Sequence, residues 1–331
     1  MKLINNNQIT DATLNLALEE WAVRNLDLEN EDYLLFYINR NAIIIGKHQN
    51  TIEEINSEYV KAKDIQVVRR ISGGGTVYHD DGNLNFSFLT KFSQDSIHNF
   101  KKFTEPVIKT LNELGVNAEL NGRNDITVDG KKISGNAQFS NTKAMFSHGT
   151  VLFNSNLDDV VEALNVKIDK IESKGIKSIR SRVANISDYI KENMSIFDFR
   201  EKLLKSIFGT SENYPVLNLR ESQWKEVYEL ANSKYRNWDW NYGRSPEFNI
   251  QKINRFDFGQ IDARIDVKDG VIQNIKIYGD FLAHGDTIEV ESKLIGKKYK
   301  EDEMIDALKE LDIKHHIGNI SKEDFVKFLL A

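Results

Sequence analysis

The chain has 331 residues, no cysteine and a formal charge of −6. Its length admits two domains, and 40% hydrophobic residues can fill a sizeable core. The mild acidity argues against a general nucleic-acid coat, and the lack of cysteine excludes disulfides, thiolate metal sites and cysteine nucleophiles. No stretch has the apolar core of a signal peptide or the length to cross a bilayer, so the expectation is a cytoplasmic protein without a membrane segment.

Leu14, Ala17, Leu18, Trp21 and Ala22 recur at three- and four-residue spacing behind Asp11. This predicts an amphipathic helix capped by Asp11. Apolar runs over 33–38 and 42–45, joined by Asn39-Arg40-Asn41, predict a hairpin. Residues 46–50 then form a polar loop at a strand end, where ligand groups are often mounted.

The next stretch, residues 67–88, organises the reading of the whole chain. Val67 and Val68 predict a strand, and Arg69 and Arg70 place two permanent positive charges before Ser72-Gly73-Gly74-Gly75-Thr76. Consecutive glycines leave no Cβ between backbone N–H groups and a ligand, and such N–H groups beside an arginine make an anion cradle. The plainer reading is a flexible turn with two solvated arginines. No GKS or GKT follows, so this is not a P-loop, and the spacing is not that of a dinucleotide fingerprint. From Leu84 to Phe88 apolar and polar residues alternate, which predicts a half-buried strand.

Beyond it, Thr104 with Pro106 in the first turn predicts a helix start, with Val107, Leu111 and Leu114 as its stripe and Gly115 as its end. Asp129-Gly130 between short strands predicts a two-residue hairpin. In that register Val128 faces Lys131, Thr127 faces Lys132 and Ile126 faces Ile133. Asp125, Thr127, Lys132 and Ser134 then share the polar side, so Lys132 rather than Lys131 is the lysine placed for chemistry. The plain alternative is an exposed hairpin with two solvated lysines. Residues 147–153 alternate as another strand. The run 167–182 is rich in cations, either a solvated face or a loop that closes on a polyanion. Helices are expected over 196–208 and 223–232. Residues 238–246 form a boundary with aromatic residues that can pin it. A second hairpin joins 261–267 to 271–278 through Asp269-Gly270, and two helices end the chain, the last with Ser321 and Asp324 as a capping box. The expected domains are 1–245 and 246–331.

The motifs RRISGGGTVYHD with GNLNFSF, GRNDITVDGKKISGNAQ, FSHGTVLF and KSIRSRVANI, in this order, resemble the lipoate–protein ligase family. The resemblance covers the whole chain, including the WDWNYG boundary. It implies an α+β fold: a mixed β-sheet flanked by helices, like class II aminoacyl-tRNA synthetases and biotin ligases, plus a small α+β C-terminal domain that moves during the cycle. It implies that lipoate and ATP, with Mg²⁺, form lipoyl-AMP, and that the lipoyl group passes to a lysine of a carrier. Carriers in the family are acyltransferase (E2) subunits of 2-oxoacid dehydrogenases and the glycine cleavage H protein. No nucleic acid or membrane partner is implied, and a monomer is expected.

The resemblance places Arg70, Ser72, Gly73, Gly74, Gly75, Thr76, Val77, Tyr78, His79, Asn83, Asp125, Lys132, Ser134, Gly135, Ala137, His148, Gly149 and Thr150 in the ATP and lipoate site. Lys132 is the catalytic residue, and His79 and His148 stand near the acyl group. Thr76 departs from the alanine often found there, which backbone contacts would survive. The loop over the adenylate is represented by Lys174, Lys177, Arg180 and Arg182. Asp125 is either a Mg²⁺ or adenylate ligand or the partner of a local ion pair with Lys132 or Arg123. His79 is alternatively a loop histidine satisfied by Asp80 or Asp81. His48, His98, His284, His315 and His316, with Trp238 and Trp240, are read as packing residues. Three rivals stand beside this reading. An octanoyl- or lipoyl-transferase that works through a cysteine thioester has no cysteine to use, which leaves a cysteine-independent lipoyl or octanoyl transferase as the alternative. A biotin ligase would carry a GRGR-type loop where RRISGGG stands. The third is a catalytically silent acyl-adenylate or carrier-binding protein.

Overall fold

The computed structural model describes residues 1–164, 182–209, 212–242, 249–268 and 270–331. Lys174, Lys177 and Arg180, and Asp269 of the second hairpin, lie outside the described residues. The chain forms two compact units. One takes Met1–Ile45, Ile52–Arg69 and Thr76–Asn241, and the other takes Gly46–Thr51, Arg70–Gly75 and Tyr242–Ala331.

The first unit is built on a mixed sheet of eight strands. Its strands are β1 (Lys2–Ile4), β2 (Tyr33–Tyr37), β6 (Asn83–Lys91), β7 (Ala118–Asn121), β8 (Asp125–Val128), β9 (Lys131–Ser140), β10 (Ala144–Leu152) and β11 (Val216–Leu217). They lie in the order β11-β1-β2-β6-β10-β9-β8-β7, parallel at β11-β1-β2 and antiparallel from β2 onward. A second sheet of three strands holds β3 (Ala42–Ile45) between β4 (Gln66–Arg69) and β5 (Val77–His79). The hairpin expected over 33–45 therefore does not form, because β2 and β3 enter different sheets. Both runs are buried on both faces, so neither shows the alternation that would tell a hairpin from a crossover.

Strand partners directly opposite one another share a face. In β6 and β10, Phe86 lies opposite Gly149 and Leu84 opposite Val151, while Ser87 lies opposite His148 and Asn85 opposite Thr150. The first set joins a core with Phe103, Val107 and Leu111 of helix α2 (Phe100–Glu113) and Phe199, Leu203 and Leu204 of helix α3 (Ile196–Phe208). The second set is polar, yet Asn83, Asn85 and Ser87 are buried too. So β6 is not half-buried: its polar face is covered. Helix α1 (Ala12–Asn25) reaches that face, since Glu19 meets His148. Asp11 caps α1 as expected, accepting from the Thr13 N–H at 2.8 Å, but every residue from Ala12 to Val23 is buried, so the helix is not amphipathic toward solvent.

Helix α2 starts five residues earlier than predicted, with Asn99 rather than Thr104 as its cap. Phe100 and Phe103 enter the core and draw the first turns in, leaving Pro106 inside the helix, where it has no N–H to give the Lys102 carbonyl. The end is as predicted. Gly115 takes φ +80°, its N–H meets the Asn112 carbonyl, and Val116 donates to Leu111 at 2.9 Å. Trp238–Asn241 is a short helix that closes the first unit.

In the second unit, β12 (Ile250–Phe256), β13 (Gly259–Lys268) and β14 (Val271–Gly279) form an antiparallel sheet in chain order. Four helices follow, Thr287–Leu294, Glu301–Ala307, Ile313–His316 and Lys322–Leu330, where two were expected. The extra two span seven and four residues, too short for a repeating apolar stripe to declare them. Ser321 caps the last helix through the Asp324 N–H, and the Ser321 hydroxyl donates to the Asp324 carboxylate at 2.6 Å.

Candidate active site

The β8–β9 hairpin turns as the sequence requires. Asp129 and Gly130 both take positive φ, 49° and 73°, the backbone of a type I′ turn. Thr127 lies opposite Lys132, but Ile126 pairs with Ser134 and Asp125 with Gly135. Ile133 is thus an extra residue, a β-bulge that strict alternation does not anticipate. It moves Ser134 to the core side with Ile126 and brings Gly135 to the side of Lys132. The Lys132 ammonium stands 2.8 Å from Asp125 Oδ1 and remains partly exposed. A Cβ on Gly135 would lie 2.9 Å from Lys132 Nζ, so the absent side chain is what gives the lysine head its place. The Lys132 backbone is held on both sides. Its N–H donates to the Arg182 carbonyl at 2.7 Å, and its carbonyl accepts from Ala184 at 3.0 Å.

On the same face, Ala137 lies opposite His148, and Gly135 N–H reaches Thr150 Oγ1 at 3.4 Å. Asn83 donates to Asn85 Oδ1 at 3.0 Å, and Asn85 donates to the Tyr37 carbonyl at 3.2 Å. His148 Nδ1 sits 3.0 and 3.1 Å from the two carboxylate oxygens of buried Glu19. His79 Nδ1 meets Asn39 Nδ2 at 3.1 Å. The expected partners of His79 are engaged elsewhere: Asp81 pairs with Arg40 at 3.0 Å, and Asp80 accepts from the Gly82 and Asn156 N–H groups. Tyr78, beside His79 in β5, is buried, and burial together with Asp159 and Asp80 pushes its phenol far up. Val77, also in β5, pairs with Ile44 of β3.

Ser134 and Gly149 stand apart from this face. Ser134 accepts from Asn136 at 3.2 Å, and a Cβ on Gly149 would strike the Phe86 ring at 2.6 Å. Arg69 separates from Arg70 in the same sense. It is buried in the first unit, where Nε donates to the Trp240 carbonyl at 2.9 Å and Nη2 to the Asn241 carbonyl at 3.2 Å, while Trp240 Nε1 donates back to the Arg69 carbonyl at 2.8 Å. It acts as a structural clamp, not a loop cation.

In the second unit, Arg70 folds onto its own loop. Its Nε donates to Ser72 Oγ at 3.0 Å, and its Nη2 donates to the Gly73 and Gly75 carbonyls at 2.7 and 2.8 Å. Because C=O and N–H oppose each other across a trans peptide, this turns the Gly74 and Thr76 N–H groups away from Arg70. Of the three glycines only Gly74 needs left-handed backbone, at φ +92°. Lys47 donates its N–H to the Ser72 carbonyl at 2.9 Å and pairs through its ammonium with Asp286 at 3.3 Å. His48 stacks on Phe281, consistent with a packing role.

Among the described residues no three His, Asp or Glu converge as a metal centre. Glu19 and Asn15 are not singled out by the sequence, which offers Asn39 only as a turn residue. Their signal was faint but present. Asn15 and Glu19 stand four apart on one side of a helix that also carries Glu20, and a buried acid or amide demands a partner.

Residues 11–208 match the lipoyl protein ligase A/B catalytic domain, and residues 245–329 match the bacterial lipoate protein ligase C-terminus. The chain is 56% identical to the lipoate-protein ligase LplJ of Bacillus subtilis, over 99% of this chain and 100% of that protein. It is 50% identical to lipoate–protein ligase 1 of Staphylococcus aureus, over 99% and 100%. Among solved structures it resembles P. falciparum LipL1 in complex with lipoate, at TM-score 0.77 and 26% identity over 100% of this chain and 98% of that one. A bipartite ligase from Thermoplasma acidophilum, studied with its E2 lipoyl domain, matches at TM-score 0.66 and 30% identity over 75% and 98%. A lipoate-protein ligase A bound with ATP matches at 0.62 and 29% over 73% and 98%.

Proposed function

The chain belongs to the lipoate–protein ligase family, and from that footing we propose how its residues carry the reaction. It is an ATP-dependent enzyme that activates lipoate as lipoyl-AMP and transfers the lipoyl group to a lysine of a lipoyl carrier domain. The observation that carries the residue assignment is Lys132, its backbone hydrogen-bonded on both sides and its ammonium set over Gly135 beside Asp125.

Activation brings a carboxylate oxygen against the α-phosphorus while the bond to pyrophosphate breaks. Two anions repel, and Lys132 between them offsets that repulsion and stabilises the charge that builds on the phosphoryl oxygens. Backbone N–H groups of the loop from Ser72 to Thr76, with Arg70, are proposed to hold phosphate or carboxylate oxygens. Val77, Tyr78, His79, Asn83, Ala137, His148 and Thr150 are proposed to bound the acyl group and adenylate, with Ser134 and Gly149 supporting them from the core side. Transfer follows when the carrier lysine's amine attacks the acyl carbon and AMP leaves. No enzyme nucleophile takes part, in keeping with a chain that has no cysteine.

Mg²⁺ would neutralise charge on the triphosphate. Asp125 fits it as a single carboxylate donor, which suffices for a cation carried in mainly by phosphates. We further propose that the carriers are E2 subunits of 2-oxoacid dehydrogenases and the glycine cleavage H protein. The enzyme is proposed to work as a cytoplasmic monomer with a catalytic domain over 1–245 and an accessory domain over 246–331. Lys174, Lys177, Arg180 and Arg182 are assigned to the segment that covers the adenylate.

Lipoate-dependent exchange of labelled pyrophosphate into ATP, with Mg²⁺ and no carrier, is expected. A folded protein that shows no exchange would leave either a transferase needing a preformed acyl donor or a binding protein. Gly135→Ala is expected to keep the fold, because the atom it meets ends a flexible side chain, and to lower kcat/KM for exchange roughly 10- to 100-fold by displacing Lys132. Unchanged kcat/KM would show that the position of the ammonium is unimportant.

A further inference from the structure

The hydrogen bonds behind His79 fix more than its position. Asn15 Nδ2 lies 2.9 Å from the Ile9 carbonyl and 3.3 Å from the Ile38 carbonyl. Backbone carbonyls only accept, so the amide nitrogen of Asn15, not its oxygen, must face them. The same nitrogen lies 2.9 Å from Asn39, and the Asn39 atom facing it must therefore be the oxygen. Asn6 Nδ2 donates to Asn15 Oδ1 at 3.2 Å and holds the same orientation from the other end. The Asn39 NH₂ is left to point at His79 Nδ1, 3.1 Å away. A proton on Nδ1 would set two N–H donors head to head. Asn15, Asn39 and His79 are exposed by only 1%, 0% and 3%, so no bulk water can absorb such a conflict.

We propose that Asn39, locked by Asn15, is a positioning residue that holds His79 as the neutral Nε2–H tautomer, a fixed hydrogen-bond donor to the acyl substrate. The last clause rests on the reading of His79 as part of the acyl site. His148 is set the opposite way, with Nδ1 against a carboxylate, so the two histidines of the site are held by partners of opposite hydrogen-bonding sense. A neutral donor at His79 can engage a weakly polar acyl chain without bringing a second cation into a site that already contains Lys132.

The tautomer is read directly by nitrogen NMR of the ligand-free protein labelled at histidine. His79 is expected to show an unprotonated Nδ1 and a protonated Nε2, and a proton on Nδ1 overturns the proposal whatever the enzyme ligates. Asn39→Asp replaces the donor with an acceptor and is expected to move the proton to Nδ1. It is expected to raise KM for lipoate about tenfold in pyrophosphate exchange, the size of one lost hydrogen bond, with a smaller change in kcat. His79→Gln keeps a donor near the Nε2 position and is expected to bind lipoate about tenfold more tightly than His79→Ala. A moved proton with unchanged KM, or equal binding by the two His79 variants, overturns the role in acyl recognition. Wild-type exchange, measured in the same series, separates that outcome from failure of the ligase reading.

Discussion

Lys132→Ala is expected to lower kcat/KM for lipoate-dependent pyrophosphate exchange by two orders of magnitude or more, about 3 kcal/mol of transition-state stabilisation. The magnitude follows from what the ammonium does. In the proposed mechanism it is a full charge set against oxygens whose negative charge grows during the reaction, and the Lys132 backbone is pinned at both the N–H and the carbonyl. Asp125 holds the ammonium at 2.8 Å, and on the proposed mechanism it shares it with the substrate during turnover. Asp125→Asn therefore separates two effects. It frees Lys132 but removes the carboxylate assigned to Mg²⁺, so a loss that extra Mg²⁺ reverses points to the metal. Lys132→Ala also leaves Asp125 without its cation, which makes thermal stability the control. A variant that unfolds at the wild-type temperature and retains near-normal kcat/KM would remove Lys132 from the mechanism.

Glu20→Ala is expected to destabilise the first unit by about 3–5 kcal/mol, the range for breaking a buried, hydrogen-bonded charge cluster from one side. Glu20 is almost wholly buried in α1. Lys234 Nζ lies 2.8 and 3.0 Å from its oxygens, Arg24 Nε 2.8 Å and the Tyr235 hydroxyl 2.6 Å. Burial opposes the charge, but Lys234, Tyr235 and Arg24 together hold the carboxyl below its ordinary value. Tyr235 is fully buried, and burial with Glu20 beside it pushes its phenol well up, so its hydroxyl stays a donor. Lys234 also lies 4.1 Å over the Trp240 ring, which ties the cluster to the segment that clamps Arg69.

The sign of the pH dependence follows from the lowered folded value. The stabilisation is complete above the unfolded carboxyl value of 4.5 and is lost as pH falls through the lower folded one. Unfolding of wild type should therefore become easier on acidification below that value. Glu20→Gln should be less stable at neutral pH and show a shallower acid limb. Denaturant unfolding of both proteins at neutral and acid pH measures this, and identical midpoints and slopes would mean that Lys234, Arg24 and Tyr235 are equally well satisfied by water.

The parts of the fold legible from sequence share a physical character. Asp11 caps α1, Gly115 ends α2, and Asp129-Gly130 makes the hairpin, because each is settled by one residue's backbone preference or one side chain's reach to a nearby N–H. The hairpin was enough to place Lys132 beside Asp125 and thus the centre of the candidate site. The bulge at Ile133 was not legible. It arises because Ile133 and Ser134 both turn to the core side, a choice made by what packs there, and it exchanges Ser134 for Gly135 next to the lysine. Nor did the residue pattern separate Arg69 from Arg70, since a clamp and a loop cation are the same residue type one position apart; only the family resemblance chose Arg70.

The amino-acid sequence by itself determined the two hairpins, the helix caps, the charged and glycine-rich loop and the family to which the chain belongs. All of these rest on chemistry spanning a few residues or on motif order. Only the tertiary structure decided that β2 and β3 part into different sheets, that the polar face of β6 is buried, and that Glu19 and Asn39 stand behind His148 and His79. Those partners lie 129 and 40 residues from the histidines they hold. No local periodicity encodes contacts at such separations. They form because a buried carboxylate or amide is costly until something meets it, and the packed fold decides what that is.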